Sequence, residues 1–283
     1  NSLDKILAAV KTETAPVEKQ SYVDERLWKP ELDKSGNGYA VIRFLPSSDN
    51  EAMPWAKLWN HAFQGPTGKW FIENSLTTLN QKDPVSEYNS SLWNSGVESD
   101  KEIARRQKRK LQYYSNIYVV ADPQHPENEG KVFLFRYGKK IFDKLMEALQ
   151  PQFEDETPVN PFDLDTGANF KLKIRKVDGY WNYDKSEFDS SSKLDNQDKV
   201  VESLYSLAEF TAPSNFKTYD ELKSRLNDVL TGTQSSSSSA EDVELNDNVE
   251  TDVEDKQYVD KVVSTTKESD DSLDYFQKLA KEA

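Results

Sequence analysis

The chain has 283 residues, of which 11% are aromatic and 30% charged, with a formal net charge of −14. That length suits one or two domains with a real core. The absence of cysteine excludes disulfides, thiolate metal sites and cysteine nucleophiles, and no run of about 18 apolar residues offers a membrane-spanning helix.

Residues 231–283 hold 14 acidic and 5 basic side chains, net −9, which leaves −5 of the −14 for residues 1–230. A body at −5 that still gathers cations at 105–110, 131–144 and 171–176 has a strongly polarised surface. Mean hydropathy is −0.83, so part of the chain is expected to stay solvated rather than packed.

In chain order, Leu3, Ile6, Leu7 and Val10 fall on one face of a short helix, and residues 12–19 read as a linker. Trp28–Leu32 and Tyr39–Leu45 are expected to form a hairpin across KSGNG, and Ala56–Phe63 with Lys69–Glu73 a second across QGPTG. Residues 74–100 read mostly as loop, with a short helix near 84–93. A strand is expected over 113–120, a long turn over 121–130, a strand over 131–138 and a helix over 139–150. Residues 151–168 are loop. Along 169–177, Phe170, Leu172 and Ile174 alternate with Lys171, Lys173 and Arg175, as a half-buried strand requires. Asp178-Gly179 signals a turn before YWNY. Residues 198–210 read as a helix, and Thr218 with Glu221 as a capping box opening another, stopped near Gly232. From 234 the composition turns Ser-rich and acidic, a flexible tail in which Leu273, Phe276 and Leu279 mark a possible short helix face.

The stretch with chemistry is RRQKRKLQYYSNIYVV, residues 105–120. Arg105, Arg106, Lys108, Arg109 and Lys110 put five cations into six residues, and Tyr113 and Tyr114 follow. Cations that track phosphates beside ring faces that stack on bases suit a single-stranded nucleic acid. The plainer reading is a solvated basic helix face next to an ordinary strand. Adjacent tyrosines in a regular strand point to opposite faces, so at least one should be available outside the core.

Longer segments carry a resemblance. GNGYAVIRFLPS (36–47), KRKLQYY (108–114), PENEGKVFLFRYGKKIFDK (126–144) and VDGYWNYDKSEF (177–188) resemble the T-even-type phage single-stranded DNA-binding, helix-destabilising protein family. The resemblance runs through roughly 20–230 and extends to the Ser-rich acidic tail. It implies an α+β fold with a mainly β core: an OB-fold barrel with an inserted loop-rich subdomain, flanking helices and a disordered acidic tail. It implies an N-terminal self-association arm (1–21), a DNA-binding core (22–230) and a partner-binding tail (231–283). It implies a non-catalytic protein without cofactor, acting in the cytoplasm of the infected bacterial host. Its partners would be single-stranded DNA, further copies of itself along the DNA, and phage replication and recombination proteins.

The aromatic groove positions of that family match Tyr88, Trp93, Tyr113, Tyr114, Phe135, Tyr180 and Tyr183, and its basic contacts match Lys108, Arg109 and Lys110. With Arg105, Arg106, Arg136, Tyr137, Lys139, Lys140 and Trp181 these make up the candidate DNA-binding residues. The family also carries a structural zinc held by a His and three Cys. Here His61 stands at the His position, while Ser75, Asp83 and Ser86 stand at the Cys positions. Hydroxyls are poor zinc ligands, so no metal is expected.

Two other classes compete. A single-stranded RNA-binding module would use the same groove physics, and competition between DNA and RNA oligomers separates the two. A nuclease would need metal-binding carboxylates near the basic stretch, and no such pair can be placed from the sequence.

Overall fold

A computed structural model describes residues 24–48, 53–153, 155–177 and 179–232. The expected arm helix, its linker and, apart from Thr231 and Gly232, the acidic tail lie outside the described residues. The architecture is α+β with a mainly sheet core.

The strands are β1 (Leu27–Trp28), β2 (Gly38–Phe44), β3 (Ala56–Gln64), β4 (Trp70–Asn74), β5 (Lys110–Ala121), β6 (Val132–Tyr137), β7 (Ala168–Val177), β8 (Tyr180–Asn182) and β9 (Glu187–Ser191). The α-helices are α1 (Pro84–Asn94), α2 (Glu98–Arg106), α3 (Lys139–Leu149), α4 (Gln197–Glu202) and α5 (Tyr219–Thr231). The main path through the sheet runs β1-β6-β5-β2-β7-β8, with β3 joining β5 and β4, and β9 joining β7.

Strand β5 is long enough to serve three partners. Lys110–Tyr114 pair with β3, Ile117–Ala121 with β2, and Tyr113–Tyr118 on the other edge with β6. The register of β2 against β5 slips between Val41 and Ile42, a bulge that bends the strand.

The β3/β4 hairpin forms as expected, with Gln64 opposite Trp70 and Asn60 opposite Asn74. The first expected hairpin does not. Asp33 accepts the N–H groups of Ser35 and Asn37 and Gly36 takes φ +79°, so the turn is made. The segment before it is a two-residue strand that runs parallel to β6, with Leu27 opposite Leu134 and Trp28 opposite Phe135. Pro30 has no N–H with which to extend that ladder. Strand β2 pairs instead with β5 and β7.

Three further differences have local causes. The loop expected to run to residue 100 ends earlier, since residues 98–106 form helix α2. Glu98 and Asp100 sit in its first turn and Arg105 and Arg106 in its last, so each end carries the charge its dipole favours. Residues 187–191, unassigned in the sequence, form β9, an edge strand whose carboxylates face the cations of β7: Lys171 meets Asp189 at 2.8 Å and Lys173 meets Glu187 at 2.7 Å. The expected helix over 198–210 stops at Glu202 and resumes as a 3-10 turn, Leu207–Thr211. Between them the Asn116 side chain bonds both the N–H and the carbonyl of Tyr205 at 2.9 Å, taking backbone groups that a continuous helix would have used.

The largest core cluster lies between the sheet and α3 and includes Trp28, Phe44, Phe135, Tyr137, Phe170 and Leu172. A second cluster joins the β3/β4 hairpin to α1 and α5 through Phe63, Phe71, Val85, Leu222, Leu226 and Val229. Helix α5 opens on the expected capping box of Thr218 and Glu221. Its far end lies so close to the hairpin turn that a Cβ at Gly65 would meet Val229 at 2.5 Å, and Thr67 Oγ1 donates to the Val229 carbonyl at 2.6 Å.

Candidate nucleic-acid interface

The basic stretch begins on the last turn of α2 and ends on the first residue of β5. Gly96, at φ +80°, turns the chain from α1 into α2, and Asn89 of α1 donates to the Gln107 carbonyl at 3.0 Å, fixing where α2 ends. Arg105 and Arg106 are exposed on α2; Arg105 bonds Glu98 at 3.0 Å and lies 5.3 Å from the Trp93 ring centroid. Lys108 is exposed in the turn, and Arg109 and Lys110 are half-buried.

The β3/β5 register places Lys57 opposite Tyr113 and Trp59 opposite Leu111. Side chains alternate between faces, so Lys57, Trp59, Leu111 and Tyr113 share one. Arg109 joins them: its guanidinium stacks over Trp59, 4.0 Å from the ring centroid, with Lys57 Nζ 5.8 Å from the same ring. Partial desolvation first, and the Arg109 charge second, hold the Lys57 ammonium below the usual lysine range, although the residue as a whole is exposed. Farther along this face Tyr113 stacks on Phe142 of α3 at 3.9 Å and 4°, and Phe142 meets Trp55 edge-on at 5.3 Å.

Both tyrosines of the pair are buried, Tyr113 at 5% exposure and Tyr114 at 6%, against the expectation that at least one would be available. They do point to opposite faces, but β5 is covered on both. On one side Phe142 lies on Tyr113; on the other Phe210, from the 3-10 turn after α4, stacks on Tyr114 at 4.0 Å and 17°. Burial, and then the Asp143 charge, push the Tyr113 hydroxyl up to about 12, and burial raises Tyr114 as well. Phe135, Tyr137 and Tyr183 are core residues too. Tyr137 Oη lies 2.9 Å from Ser115 Oγ, and burial pushes its hydroxyl far up. Arg136, opposite Tyr114, is half-buried on the far face.

The remaining candidates sit at the margins. Tyr88 packs on the second core cluster. Lys139 and Lys140 are exposed where α3 begins, with Lys139 Nζ 2.8 Å from Asp143. Tyr180, 48% exposed, and Trp181 lie on β8, and Lys176 of β7 stands 5.7 Å above the Trp181 ring. Since β8 follows β2 and β7 along the sheet, it lies three strands from β5. The structure therefore gathers Trp93 and the basic residues 105–110 on one ridge and leaves Tyr180 and Trp181 at the end of the sheet. Sequence reading missed Lys57 and Trp59; their i, i+2 spacing in AKLWNHAF was the available signal.

The residues at the family's metal position do not fit a zinc. His61, Ser75 and Asp83 are buried, and Asp83 is already saturated. Its Oδ1 accepts from His61 Nε2 and the N–H groups of Val85 and Ser86, each at 3.0 Å. Its Oδ2 accepts from Ser75 Oγ at 2.8 Å and the Leu76 N–H at 3.0 Å. Burial alone would raise this carboxyl. The His61 hydrogen bond and charge, with the Ser86 N–H and Ser75, outweigh it and hold Asp83 far below the usual carboxylate range. A zinc would need four N or S donors, and one nitrogen stands here among oxygens. Among the described residues no three His, Cys, Asp or Glu side chains gather as a metal would require. No helix among them is long and apolar enough to cross a membrane.

Residues 36–230 match the family model described as gp32 DNA binding protein like. The chain is 43% identical over 216 residues to the single-stranded DNA-binding protein of Enterobacteria phage T2, covering 73% of this chain and 70% of that protein. It is 42% identical over 216 residues to the single-stranded DNA-binding protein of Enterobacteria phage T4, covering 73% and 71%. Over 93 residues it is 44% identical to the protein of that name from Enterobacteria phage RB70, covering 32% and 77%.

Proposed function

The chain belongs to the gp32-like family of DNA-binding proteins, and we propose that it binds single-stranded DNA through the ridge formed by α2, the 107–109 turn and the β3/β5 face. The observation that carries this reading is the pair of guanidinium-on-indole contacts, Arg109 over Trp59 at 4.0 Å and Arg105 over Trp93 at 5.3 Å, on either side of Lys108. Cations there neutralise phosphates, and half-buried rings offer stacking area to any base, so binding is strong in low salt and largely indifferent to sequence. The buried Tyr113, Tyr114, Phe135, Tyr137 and Tyr183 act from beneath, stiffening the sheet that carries the ridge. Lys139 and Lys140 flank it, whereas Arg136 lies on the opposite face of the sheet and Tyr180 and Trp181 stand at the sheet's end.

The reading brings further proposals. The bent sheet with the long shared strand β5 is an OB-fold, and residues 22–230 are the DNA-binding core. Residues 1–21 bind a neighbouring copy, and 231–283 dock replication and recombination proteins. The protein is non-catalytic and works in the cytoplasm of the infected host. The tail also competes with DNA for the ridge: net −9 tethered to a basic surface reaches an effective concentration up to about millimolar. Deleting 234–283 should tighten DNA binding at low salt by an amount that shrinks at high salt; equal affinity throughout would leave a tail that only solubilises.

The deciding experiment is a titration with oligo-dT, followed by Trp and Tyr fluorescence at several salt concentrations. Quenching is expected, with a log–log salt slope of about −0.7 for each phosphate neutralised. Binding that ignores salt would remove the ridge from the account, and equal affinity for an RNA oligomer would favour an RNA-binding module.

A further inference from the structure

We infer that Trp55 is a stacking residue of the interface, taking one base of the strand between a phosphate on Lys57 and a phosphate on Lys140. The inference rests on the reading of the chain as a single-stranded DNA binder. It extends the path of the strand past the ridge, along the start of β3 to the opening turn of α3.

Ring contacts place Trp55 on the ridge face. Phe142 stacks on Tyr113 at 3.9 Å, and the Trp55 ring stands 5.3 Å from that same Phe142 ring. Lys57 is opposite Tyr113 in the β3/β5 register, so it shares the face, two residues along the chain from Trp55. Lys140 lies on the other side, in the same turn of α3 as Phe142. An exposed lysine, a half-buried indole and a second exposed lysine therefore follow one another across this face.

The plainer alternative is a ring that only fills the rim of the core. Trp55 does pack there, edge-on to Phe142 at 76° and tilted 41° to Phe162 at 5.6 Å. Yet Phe142 already covers Tyr113 at an interplanar angle of 4°, so that stack is closed before Trp55 is reached. The polar edge of the indole is also unused. Trp28, the tryptophan that does belong to the core, is 3% exposed and donates its Nε1–H to Asp122 at 2.9 Å. The Trp55 N–H meets no acceptor among the described residues. A tryptophan at an interface keeps its ring partly in the core and its N–H for the partner. The neighbouring charges suit the same use. On β7, Lys171, Lys173 and Arg175 each meet a carboxylate, Asp189, Glu187 and Asp184. Among the described residues no carboxylate pairs with Lys57 or Lys140. A nucleotide supplies what all three side chains lack: a ring face for the indole, and phosphates on both sides of the base for the two ammonium groups.

The test uses the full chain and oligo-dT. Trp55→Leu should weaken binding about 5–150-fold, the range for one stacked base, and keep the parent salt slope, because no charge is lost. Trp55→Phe should recover most of the affinity. Lys140→Gln should flatten the slope by about 0.7, the share of one phosphate on a single strand; an unchanged slope there would overturn the path to α3. Fluorescence supplies a readout that packing alone would not move. A stacked Trp55 is among the quenched rings, so Trp55→Phe should lower the fraction of tryptophan emission lost at saturation. A bystander emits throughout, and its removal would raise that fraction. If folded Trp55→Leu keeps the parent affinity while Lys108→Ala weakens binding, Trp55 is rim packing and DNA binding by the ridge stands. If Trp55→Leu does not fold, the quenched fraction of Trp55→Phe decides. Failure of the unaltered protein to bind oligo-dT would overturn the role of Trp55 and the reading beneath it together.

Discussion

Asp83 shows how one side chain can hold together a loop-rich region. It accepts five hydrogen bonds from His61, Ser75, Leu76, Val85 and Ser86, and so ties β3, the 3-10 turn at 76–79 and the first turn of α1 to one point. Asp83→Ala would strand the buried His61 and lose the helix cap, a loss of about 3–5 kcal/mol expected for breaking a buried pair, read as a fall in melting temperature at neutral pH. Because the folded-state pKa of Asp83 is depressed, its contribution is complete above the ordinary Asp value of about 4 and drains away as pH falls below it, so parent and variant should converge in acid. Chelator should leave the parent melting temperature unchanged; a drop would mean that a metal is held after all. Tyrosine gives the opposite sign. With Tyr113 raised to about 12, the stability it contributes is complete below the free-tyrosine value of about 10 and lost as pH rises through 12. The tyrosinate absorbance of the buried Tyr113, Tyr114 and Tyr137 should therefore appear only with unfolding. At this scale the sequence was legible where a residue's chemistry is local. The helix expected near 84–93 and the Thr218–Glu221 capping box are both present. The fate of Tyr113 and Tyr114 was not legible, because their covers, Phe142 and Phe210, come from elements about 30 and 100 residues away.

Elements differ in the same way. The β3/β4 hairpin was legible because its turn and its alternation are contiguous, whereas the parallel β1/β6 pair joins segments more than 100 residues apart with no turn to announce it. Helix α2 was given no bounds, only the plainer reading of a basic helix face, because Ala104 is its buried residue and no apolar stripe marks it; its charges at the two ends were the usable signal. Strand β7 was read correctly in face and period, but its cations were counted toward a basic surface that β9 neutralises. A double Lys171→Ala, Lys173→Ala variant should therefore leave the oligo-dT salt slope unchanged, and a flattened slope would bring β7 into the interface. The capping box on α5 offers an independent check of the strap that closes the second core cluster. Thr218→Ala should cost about 1 kcal/mol of stability in a denaturant titration.

For the whole molecule, a net charge of −14 would oppose any polyanion if it were spread evenly, so binding DNA depends on where the cations are and not on how many there are. The ridge supplies that asymmetry, and β5 ties it to everything else. One strand accepts pairing from β2, β3 and β6 and carries Lys110 at its start, directly after Arg109. It cannot fray by itself without releasing three neighbours. Its central amides, Ile117 and Val119 among them, should exchange with deuterium only when the entire domain opens. On the proposed interface, a strand of DNA that gripped the first residues of β5 would do more than cover a surface. It would add its binding free energy to the opening equilibrium of the domain, so amides near Val119 should exchange more slowly in proportion to oligo-dT concentration, although no nucleotide comes near them.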